Sequence, residues 1–169
     1  MSEAAVDMTI QYLTFGLDGE TFAVDVAKAR EVLDGIKITK VPQTPEYMLG
    51  VINLRGTVVP VIDMRIKFGM AQKEQTVDTC IIVLEVAIDD ETIVIGALAD
   101  SVQEVLDIAA NQIEPPPRLG TSLNTEFIEG MGSYNDEFVI ILDIDKVFTT
   151  EELAMARDMS GENNDIAEA

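Results

Sequence analysis

The chain has 169 residues, a formal net charge of -20 and a sequence pI near 4.1, with 31 Asp and Glu against 11 Lys and Arg. This charge argues against binding to nucleic acid or to an anionic membrane surface, because either encounter would begin from long-range repulsion. Hydrophobic residues make up 47% of the sequence, which is enough for a globular core in one compact domain or two small subdomains.

Few side chains suited to catalysis are available. The sequence has no His, no phosphate-binding glycine loop and no calcium loop. The single cysteine, Cys80, lies in the apolar segment CIIVLEV, which predicts a buried structural thiol rather than a nucleophile. We therefore expect no enzymatic activity and no catalytic, cofactor or metal site.

The compartment can also be predicted from the sequence. No uninterrupted apolar segment reaches the length of about 18 residues that predicts a membrane-spanning helix. The acidic N-terminus MSEAAVDM lacks the features of a secretion signal, and a single Cys cannot form an internal disulfide. We expect a reduced cytoplasmic protein.

The first predicted elements are strands. IQYLTFGLDGETFAVDV predicts a β-hairpin with its turn at Asp18 and Gly19, and KAREVL predicts a single strand or a short turn. TVVPVIDM predicts a further strand. Because Pro60 cannot donate a hydrogen bond to a neighbouring strand, we expect it at an edge or a bulge.

The second half repeats this order of elements. CIIVLEVAIDDETIVIGALAD predicts a hairpin that turns at Asp89 and Asp90, SVQEVL a strand or short turn, and EFVIILDI a strand. TTEELAMARDM then predicts a terminal helix, because Thr149 and Glu152 can form a capping box. The tail SGENNDIAEA is too polar to pack and should be flexible.

The two halves align as an internal repeat. When Gly50 is laid on Gly130, the identical pairs are Glu46/Glu126, Gly50/Gly130, Val59/Val139, Asp63/Asp143 and Phe68/Phe148. Upstream, Glu31 pairs with Glu104, and Val32 with Val105. Each half is too small to bury its own surface well, so we expect two small β-barrels packed together. The predicted units are 10–75 and 76–148, followed by a helix at 149–159, with flexible tails at 1–8 and 160–169.

Arg55 is a difference between the two halves. NLRG in the first half corresponds to SYND in the second, so the shared fold does not require Arg55. Three interpretations stay open. Arg55 is a solvated turn residue, it braces Glu31 or a nearby Asp, or it presents its guanidinium to a carboxylate on another protein.

Several segments together resemble the CheW-type chemotaxis coupling proteins, from Gln11 to about Met159. GVINLRG followed by VPVIDMR is the most specific combination, and FAVDVAKAREVL, IEPPP and EFIEGMG support it. The resemblance implies a mainly β fold of two tandem SH3-like five-stranded barrels with a C-terminal α-helix. It also implies a non-enzymatic adaptor that links chemoreceptor cytoplasmic tips to the CheA histidine kinase regulatory domain, in arrays at the inner face of the membrane.

The same resemblance implies which residues bind partners. Glu31 and Arg55 would be contact residues, Gly50 would set the loop, and Asn53 and Gly56 would shape the turn. Four further positions fall where the family presents apolar contacts to the receptor tip: Ala29, Val32, Val102 and Val105. Core packing is the alternative role for the valines.

Two other functions remain open at the level of sequence. The first is a CheW-like adaptor of a non-flagellar receptor-kinase system such as twitching motility, which the resemblance fits equally well. The second is an enzyme or ligand carrier on a β-barrel scaffold. It would need convergent polar groups in a pocket, and the sequence offers neither His nor a reactive Cys environment.

Overall fold

The computed structural model describes residues 9–70, 74–88, 91–115, 127–134, 136–159 and 161–162. This part of the chain is mainly β, as the sequence predicts. The strands are β1 (Thr9–Leu17), β2 (Glu20–Asp25), β3 (Ala29–Asp34), β4 (Met48–Leu54), β5 (Thr57–Asp63), β6 (Cys80–Ile88), β7 (Glu91–Ala99), β8 (Ser101–Ala109), β9 (Ile128–Tyr134), β10 (Glu137–Leu142) and β11 (Gly161–Glu162). The α-helices are α1 (Met64–Lys67), α2 (Ile144–Val147) and α3 (Thr150–Met159), and Val26–Lys28 and Ala110–Gln112 form short 3-10 helices.

The first hairpin forms where its turn residues predict it. Leu17 lies opposite Glu20, and Asp18 and Gly19 have φ values of 52° and 84°. Two successive left-handed residues match the right-handed twist of the flanking strands, so this turn joins β1 to β2 without splaying them. The corresponding Asp89 and Asp90 turn lies outside the described residues, although β6 and β7 pair antiparallel on either side of it.

The terminal helix also begins as predicted. The Thr149 backbone N–H donates to Glu152 Oε1 at 2.7 Å, and the Glu152 N–H donates to Thr149 Oγ1 at 3.1 Å. This reciprocal pair satisfies two backbone donors that a helix start otherwise leaves free, and it confirms the capping box. Of the two alternatives for KAREVL and SVQEVL, a single strand is the one found: Ala29 to Leu33 lie in β3, after Lys28 at the end of a 3-10 helix, and SVQEVL lies in β8.

Each of the two sheets takes strands from both halves of the sequence. One sheet has the order β8-β1-β2-β10-β9, and the other has β11-β5-β7-β6-β3, with β4 paired to β5. The first hairpin therefore completes a barrel otherwise built from β8, β9 and β10. The predicted division at 10–75 and 76–148 describes the two sequence repeats and not the two sheets.

Equivalent backbone contacts in both halves support the repeat. Asp63 and Asp143 each accept a hydrogen bond from the N–H two residues later, at the start of α1 and α2. The Asp63 N–H donates to the Tyr47 carbonyl at 2.7 Å, and the Asp143 N–H donates to the Phe127 carbonyl at 2.8 Å. These contacts join residues that the sequence alignment pairs, so the alignment has the correct register here.

Pro60 lies within β5, opposite Val51 of β4. On its other side, β5 pairs with β7 from Val61 and with β11 at Thr57 and Val58. No described strand pairs with Pro60 on that second side, so the missing N–H leaves no ladder bond unmade there. The sequence predicts an edge or a bulge at Pro60. In the described part of the chain, β5 has strands on both sides, and only the position of Pro60 is left unpaired on one of them.

The largest apolar cluster, here called the shared core, takes residues from both sheets. Its buried members include Phe15 and Phe22 from one sheet, Ile62 and Ile82 from the other, and Leu153 from α3. Four aromatic rings stack through it with centroid separations of 6.0, 5.8 and 5.0 Å, in the order Phe15, Phe22, Phe68 and Phe127. Smaller clusters fill the two barrels: Tyr12, Ala23, Leu106, Ile108, Val139 and Ile141 in one, and Ile52, Val59, Val61, Ile81 and Leu98 in the other.

Charged side chains also tie the sheets together. Arg65 of α1 is 2% exposed and donates to Asp63 through Nε at 3.1 Å, while its Nη1 donates to Asp100 Oδ1 at 3.1 Å. Asp100 Oδ2 in turn accepts the Asp18 N–H at 2.7 Å, in the first hairpin turn. A buried guanidinium needs several partners to offset its desolvation. Here they are Asp63 of β5 and Asp100, which lies between β7 of one sheet and β8 of the other.

The repeat-equivalent position of Arg65 is Asp145, which also reaches across to the other sheet. Its Oδ2 accepts from Lys28 Nζ at 2.9 Å, and its Oδ1 accepts from the Ala87 N–H at 2.9 Å. The second residue of each short helix therefore forms a side-chain contact beyond its own strand, Arg65 with Asp100 between β7 and β8 and Asp145 with β6, and the two residues have opposite charge.

The chain returns to the first repeat after α3. Gly161 and Glu162 pair antiparallel with Val58 and Thr57 of β5. The prediction of a flexible tail from 160 onwards is wrong at these two residues, because they pair with a strand of the sheet. The remaining residues of both predicted tails lie outside the described residues.

Phe148 offers a test of the shared core. Its side chain is 5% exposed within that core, so Phe148→Ala is expected to lower the free energy of unfolding by about 3–5 kcal/mol. Phe68, its repeat equivalent, is only partly buried, and Phe68→Ala should cause a smaller loss. Phe138 is 61% exposed, so Phe138→Ala serves as the matched control and should change stability by less than about 0.5 kcal/mol. Urea denaturation measures all three, and a near-neutral Phe148→Ala would contradict the core assignment.

A candidate protein-binding surface at the Arg55 turn and the edge strands

Arg55 and Gly56 form the two-residue turn between β4 and β5. Leu54 lies opposite Thr57, and the turn residues have φ values of 52° for Arg55 and 89° for Gly56. The Gly56 N–H donates to Asn53 Oδ1 at 2.9 Å, so Asn53 and Gly56 both shape this turn. A left-handed conformation is uncommon for Arg, which therefore carries some conformational cost that Gly would not.

The Arg55 side chain forms a forked ion pair with Glu31 of β3. Arg55 Nη1 lies 3.3 Å from Oε1 and Nη2 lies 2.5 Å from Oε2. The Arg55 side chain is 70% exposed and that of Glu31 is 28% exposed. Of the three interpretations of Arg55, bracing of Glu31 is the one seen here. The fork uses two of the five guanidinium N–H donors, so three remain for a partner.

The pair changes the titration of both groups. The hydrogen bond from Arg55 lowers the pKa of Glu31 from its ordinary value of 4.5, and the nearby charges of Arg55 and Arg30 act in the same direction. The hydrogen bond to Glu31 raises the pKa of Arg55. At neutral pH the turn and the strand are therefore held together by two fully charged groups.

Gly50 is required by the backbone. Its φ is 149°, and a Cβ there would lie 2.1 Å from the Thr39 carbonyl oxygen. Thr39 and Val51 exchange two backbone hydrogen bonds of 2.8 Å across this point, which fixes the loop before β4. The repeat-equivalent Gly130 is equally confined, because a Cβ would lie 2.4 Å from Ile113 Cγ2. Gly50 thus positions the candidate surface without being part of it.

The two edge strands carry a bulge at equivalent places. The register of β3 against β6 shifts between Ala29 and Glu31. The register of β8 against β1 shifts between Val102 and Val105. In the second bulge, Thr14 Oγ1 donates to the Glu104 carbonyl at 2.7 Å and accepts its N–H at 3.0 Å. Bulges at sheet edges redirect side chains, and both of these occur just before a valine.

The four apolar candidates divide into two pairs. Val32 is 40% exposed and Val105 is 48% exposed, whereas Ala29 and Val102 pack against the shared core. The sequence left core packing and surface display open as alternatives. In each repeat, one of the two candidate residues packs against the shared core and the other is displayed on the surface. Val32 and Val105 present apolar area on two different barrels, at sheet edges.

Cys80 lies near the junction of the two edge strands. It pairs with Asp34 at the end of β3, and its Sγ lies 3.1 Å from the Asp78 carbonyl. Burial raises the pKa of the Cys80 thiol, which makes it a weaker source of thiolate at neutral pH. The side chain is only partly buried, which differs from the fully buried thiol that the sequence predicts.

Two features near this surface were missed at the sequence level. A depression of about 220 Å³ next to the turn is lined by Arg30, Leu54, Arg55, Thr57, Val59 and Val94. A larger open groove of about 510 Å³ is lined by Lys40, Val41, Thr44, Pro45, Glu46, Met48, Leu49, Ile66 and Met70. Most of the groove lining comes from one continuous segment, residues 40–49, whereas the depression arises from strands distant in sequence.

Neither metal ligation nor a membrane span is found in the described part of the chain. Within the ranges given above, no group of three His, Cys, Asp or Glu side chains is arranged to hold a metal ion. Nor is any helix in those ranges long and apolar enough to cross a bilayer. The candidate surface offers hydrogen-bonding groups, charged side chains and apolar area, all of which are found in protein–protein interfaces.

Comparison with known proteins gives a consistent result. The family model described as "CheW-like domain" matches residues 11–152. The chemotaxis protein CheW of Klebsiella aerogenes is 34% identical over 145 residues, covering 86% of this chain and 85% of that protein, and CheW of Rhizobium meliloti is 32% identical over 155 residues, covering 90% and 97%. The crystal structure of the scaffolding protein TtCheW from Thermoanaerobacter tengcongensis superposes with a TM-score of 0.75 at 35% identity, covering 86% of this chain and 96% of that one.

The ion pair of the turn predicts a pH-dependent stability difference. Because the pKa of Glu31 is lowered in the folded state, the pair stabilises the fold above the ordinary pKa of 4.5 and loses that effect as the pH falls through the lowered value. Arg55→Ala should leave the circular dichroism unchanged and lower the melting temperature slightly at pH 7, since exposed ion pairs contribute little. At a pH below the folded pKa of Glu31, the two melting temperatures should converge. A large loss at pH 7 that persists in acid would show that Arg55 supports the fold in another way.

Proposed function

This chain belongs to the CheW-like family, and from that membership we propose that it is a non-enzymatic chemotaxis adaptor that couples the cytoplasmic tips of chemoreceptors to a CheA-type histidine kinase. Within the array it would act through protein–protein contacts on both barrels. Support comes from relatives named as chemotaxis proteins and from a structural neighbour described as a scaffolding protein. A sequence without His, and without a nucleotide-binding loop, suits a role in which this chain does no chemistry itself.

The observation that carries the proposal is the display of one exposed valine on each barrel. Val32 and Val105 are repeat equivalents, each follows a bulge in an edge strand, and each keeps close to half of its area exposed. A bulged edge strand does not extend easily by pairing with another strand, so its side chains are the part that a partner meets. Apolar side chains at such positions suit an amphipathic helical surface, which is the chemistry of a receptor tip.

Ala29 and Val102 act behind these valines. Both pack against the shared core, so they fix the position of the edge strands rather than offer much area of their own. Arg55 and Glu31 add an ion pair to the first barrel that the second cannot form in the same way, because the sequence positions that align with Arg55 and Gly56 are Asn135 and Asp136, and neither of these residues is a cation. The asymmetry lets the two barrels contribute differently to a complex.

Electrostatics favours a defined register for the partner. With 31 acidic against 11 basic residues, most of this surface repels an acidic protein, and an exposed arginine marks one place where such a protein is attracted. A fork that is already ordered by Glu31 loses little entropy when a further carboxylate joins it. We propose that Arg55 contacts the kinase regulatory domain or the receptor tip, with Glu31 holding it in place.

The proposed location follows from the partners. An adaptor that binds receptor tips and a kinase would reside in the cytoplasm, at the inner face of the membrane, held there by the receptor array. The net charge of -20 disfavours direct attachment to anionic lipid and binding to nucleic acid.

The valines give the first test of the proposal. Val32→Glu and Val105→Glu should each weaken binding to a purified receptor tip by about tenfold or more, because each places a charge in an apolar contact. Val77→Glu is the matched control, since Val77 is 96% exposed and lies outside the candidate surface. Co-sedimentation with receptor-containing nanodiscs measures the three. Unchanged binding in both edge variants, with normal folding, would contradict the assignment.

Arg55 gives a second test, which concerns its proposed contact with a partner protein. Arg55→Ala should weaken the complex with receptor or kinase by about tenfold, and Arg55→Lys should restore only part of it, because a lysine cannot form the fork. Glu31→Gln should have an intermediate effect if Glu31 only orients the guanidinium. Isothermal titration with each partner separately shows which complex is affected. Wild-type affinity of Arg55→Ala for both partners would exclude Arg55 as a contact residue.

A further inference from the structure

In the first repeat, the C-terminal strand fills a gap in the sheet. On the side of β5 away from β4, pairing with β7 begins only at Val61. The preceding residues, Thr57 and Val58, pair instead with Glu162 and Gly161 of β11. The side chain of Val58 is thereby 4% exposed, although it lies next to the turn. The chain shows here that an extended segment can be added at this end of a barrel.

In the second repeat, none of the described strands occupies the equivalent gap. Glu137 and Phe138 of β10 correspond to Thr57 and Val58, and they pair with β9 on one side. On the other side, pairing with β2 begins at Ile140, and no strand among the described residues pairs with Glu137 or Phe138 there. Phe138 is 61% exposed, in contrast with its buried equivalent. We call this gap between β2 and β10 the β10 slot.

The backbone of the β10 slot is suited to strand addition. Tyr134 and Glu137 flank a two-residue turn, so they form a hydrogen-bonded pair across the hairpin. The next residue, Phe138, must then direct its own N–H and C=O away from β9, towards the slot. Unpaired donors and acceptors along a sheet edge are a template for a further strand.

The side chains around the β10 slot indicate the chemistry of its occupant. A cavity of about 150 Å³ beside Phe138 is lined by Thr14, Thr21, Gln103, Glu104, Leu106, Glu137, Phe138 and Val139. None of these eight residues is basic, two are acidic and exposed, and Asp136 precedes them in the turn. The equivalent depression in the first repeat is lined by Arg30 and Arg55 instead. An apolar side chain flanked by cations matches this surface.

We propose that the β10 slot binds one extended segment of another protein by strand addition, and that this segment carries Lys or Arg on either side of an apolar residue. The apolar side chain lies against Phe138, and the cations face Glu104 and Glu137. The C-terminal segment of a second copy is a poor occupant, because GENNDIAEA adds three carboxylates to an acidic site.

The test uses the full chain and two peptides of opposite charge, KVKVKV and EVEVEV, both capped at their ends. In NMR titrations of the labelled protein, KVKVKV should shift the amides of residues 136–139 and protect the Phe138 amide from exchange, whereas EVEVEV should do neither. Phe138→Asp should weaken KVKVKV binding by about tenfold or more, and Val77→Asp should not. Glu137→Lys should weaken the binding of KVKVKV and strengthen that of EVEVEV, even if Phe138→Asp folds poorly.

Three results would overturn the proposal. Equal binding of both peptides would show that the bound segment need not be basic. Amide shifts at residues other than 136–139 would show that the peptide does not bind at the β10 slot. Concentration-dependent shifts at residues 136–139 without any peptide would show that a second copy is the occupant. Neither receptor nor kinase is present in this experiment, so its outcome is independent of the proposed adaptor function.

Discussion

The burial of apolar surface between the two sheets is the constraint on which the rest of this structure depends. In the described part of the chain, the shared core has 21 buried residues, against six and five in the two barrel interiors. A five-stranded unit of about 70 residues buries a smaller fraction of its surface than a larger domain does, so its own interior gives only marginal stability. The exchange of the first hairpin into the other barrel brings residues of the two halves into one sheet, and Arg65 links Asp63 of β5 to Asp100 between β7 and β8.

Because the inward faces of both sheets are occupied in this way, the edges and turns are left for recognition. β3 and β8 are edges of different sheets, and their bulges turn Val32 and Val105 outward while Ala29 and Val102 stay against the shared core. The repeat makes these surfaces similar in shape, and the residues that differ between the copies make them different in charge. A duplicated fold with unlike surfaces is a simple physical basis for one chain that joins two kinds of partner.

Local patterns predicted the local structure. Asp18-Gly19 fixed a hairpin, Thr149 and Glu152 capped a helix, and the spacing around Gly50 and Gly130 gave a repeat whose backbone contacts agree with it. Sheet membership could not be predicted, because each half could close with its own hairpin or with that of the other, and the choice depends on long-range packing. The Arg55–Glu31 fork was one of three interpretations left open, since it joins residues 24 positions apart. The exposure of Phe138 was missed because it depends on where β10 begins to pair with β2, and that pairing starts only at Ile140.

We propose that one chain presents separate surfaces to a receptor and to a kinase. The most direct measurement is the affinity of the purified chain for the kinase regulatory domain, determined without and with a saturating concentration of receptor tip, together with the hydrogen-exchange footprint of each partner. Both partners are expected to bind at once, with the receptor footprint covering Val32 and Val105, which are exposed, and with the kinase affinity not reduced by receptor. Mutually exclusive binding, with one partner displacing the other from the same amides, would contradict it.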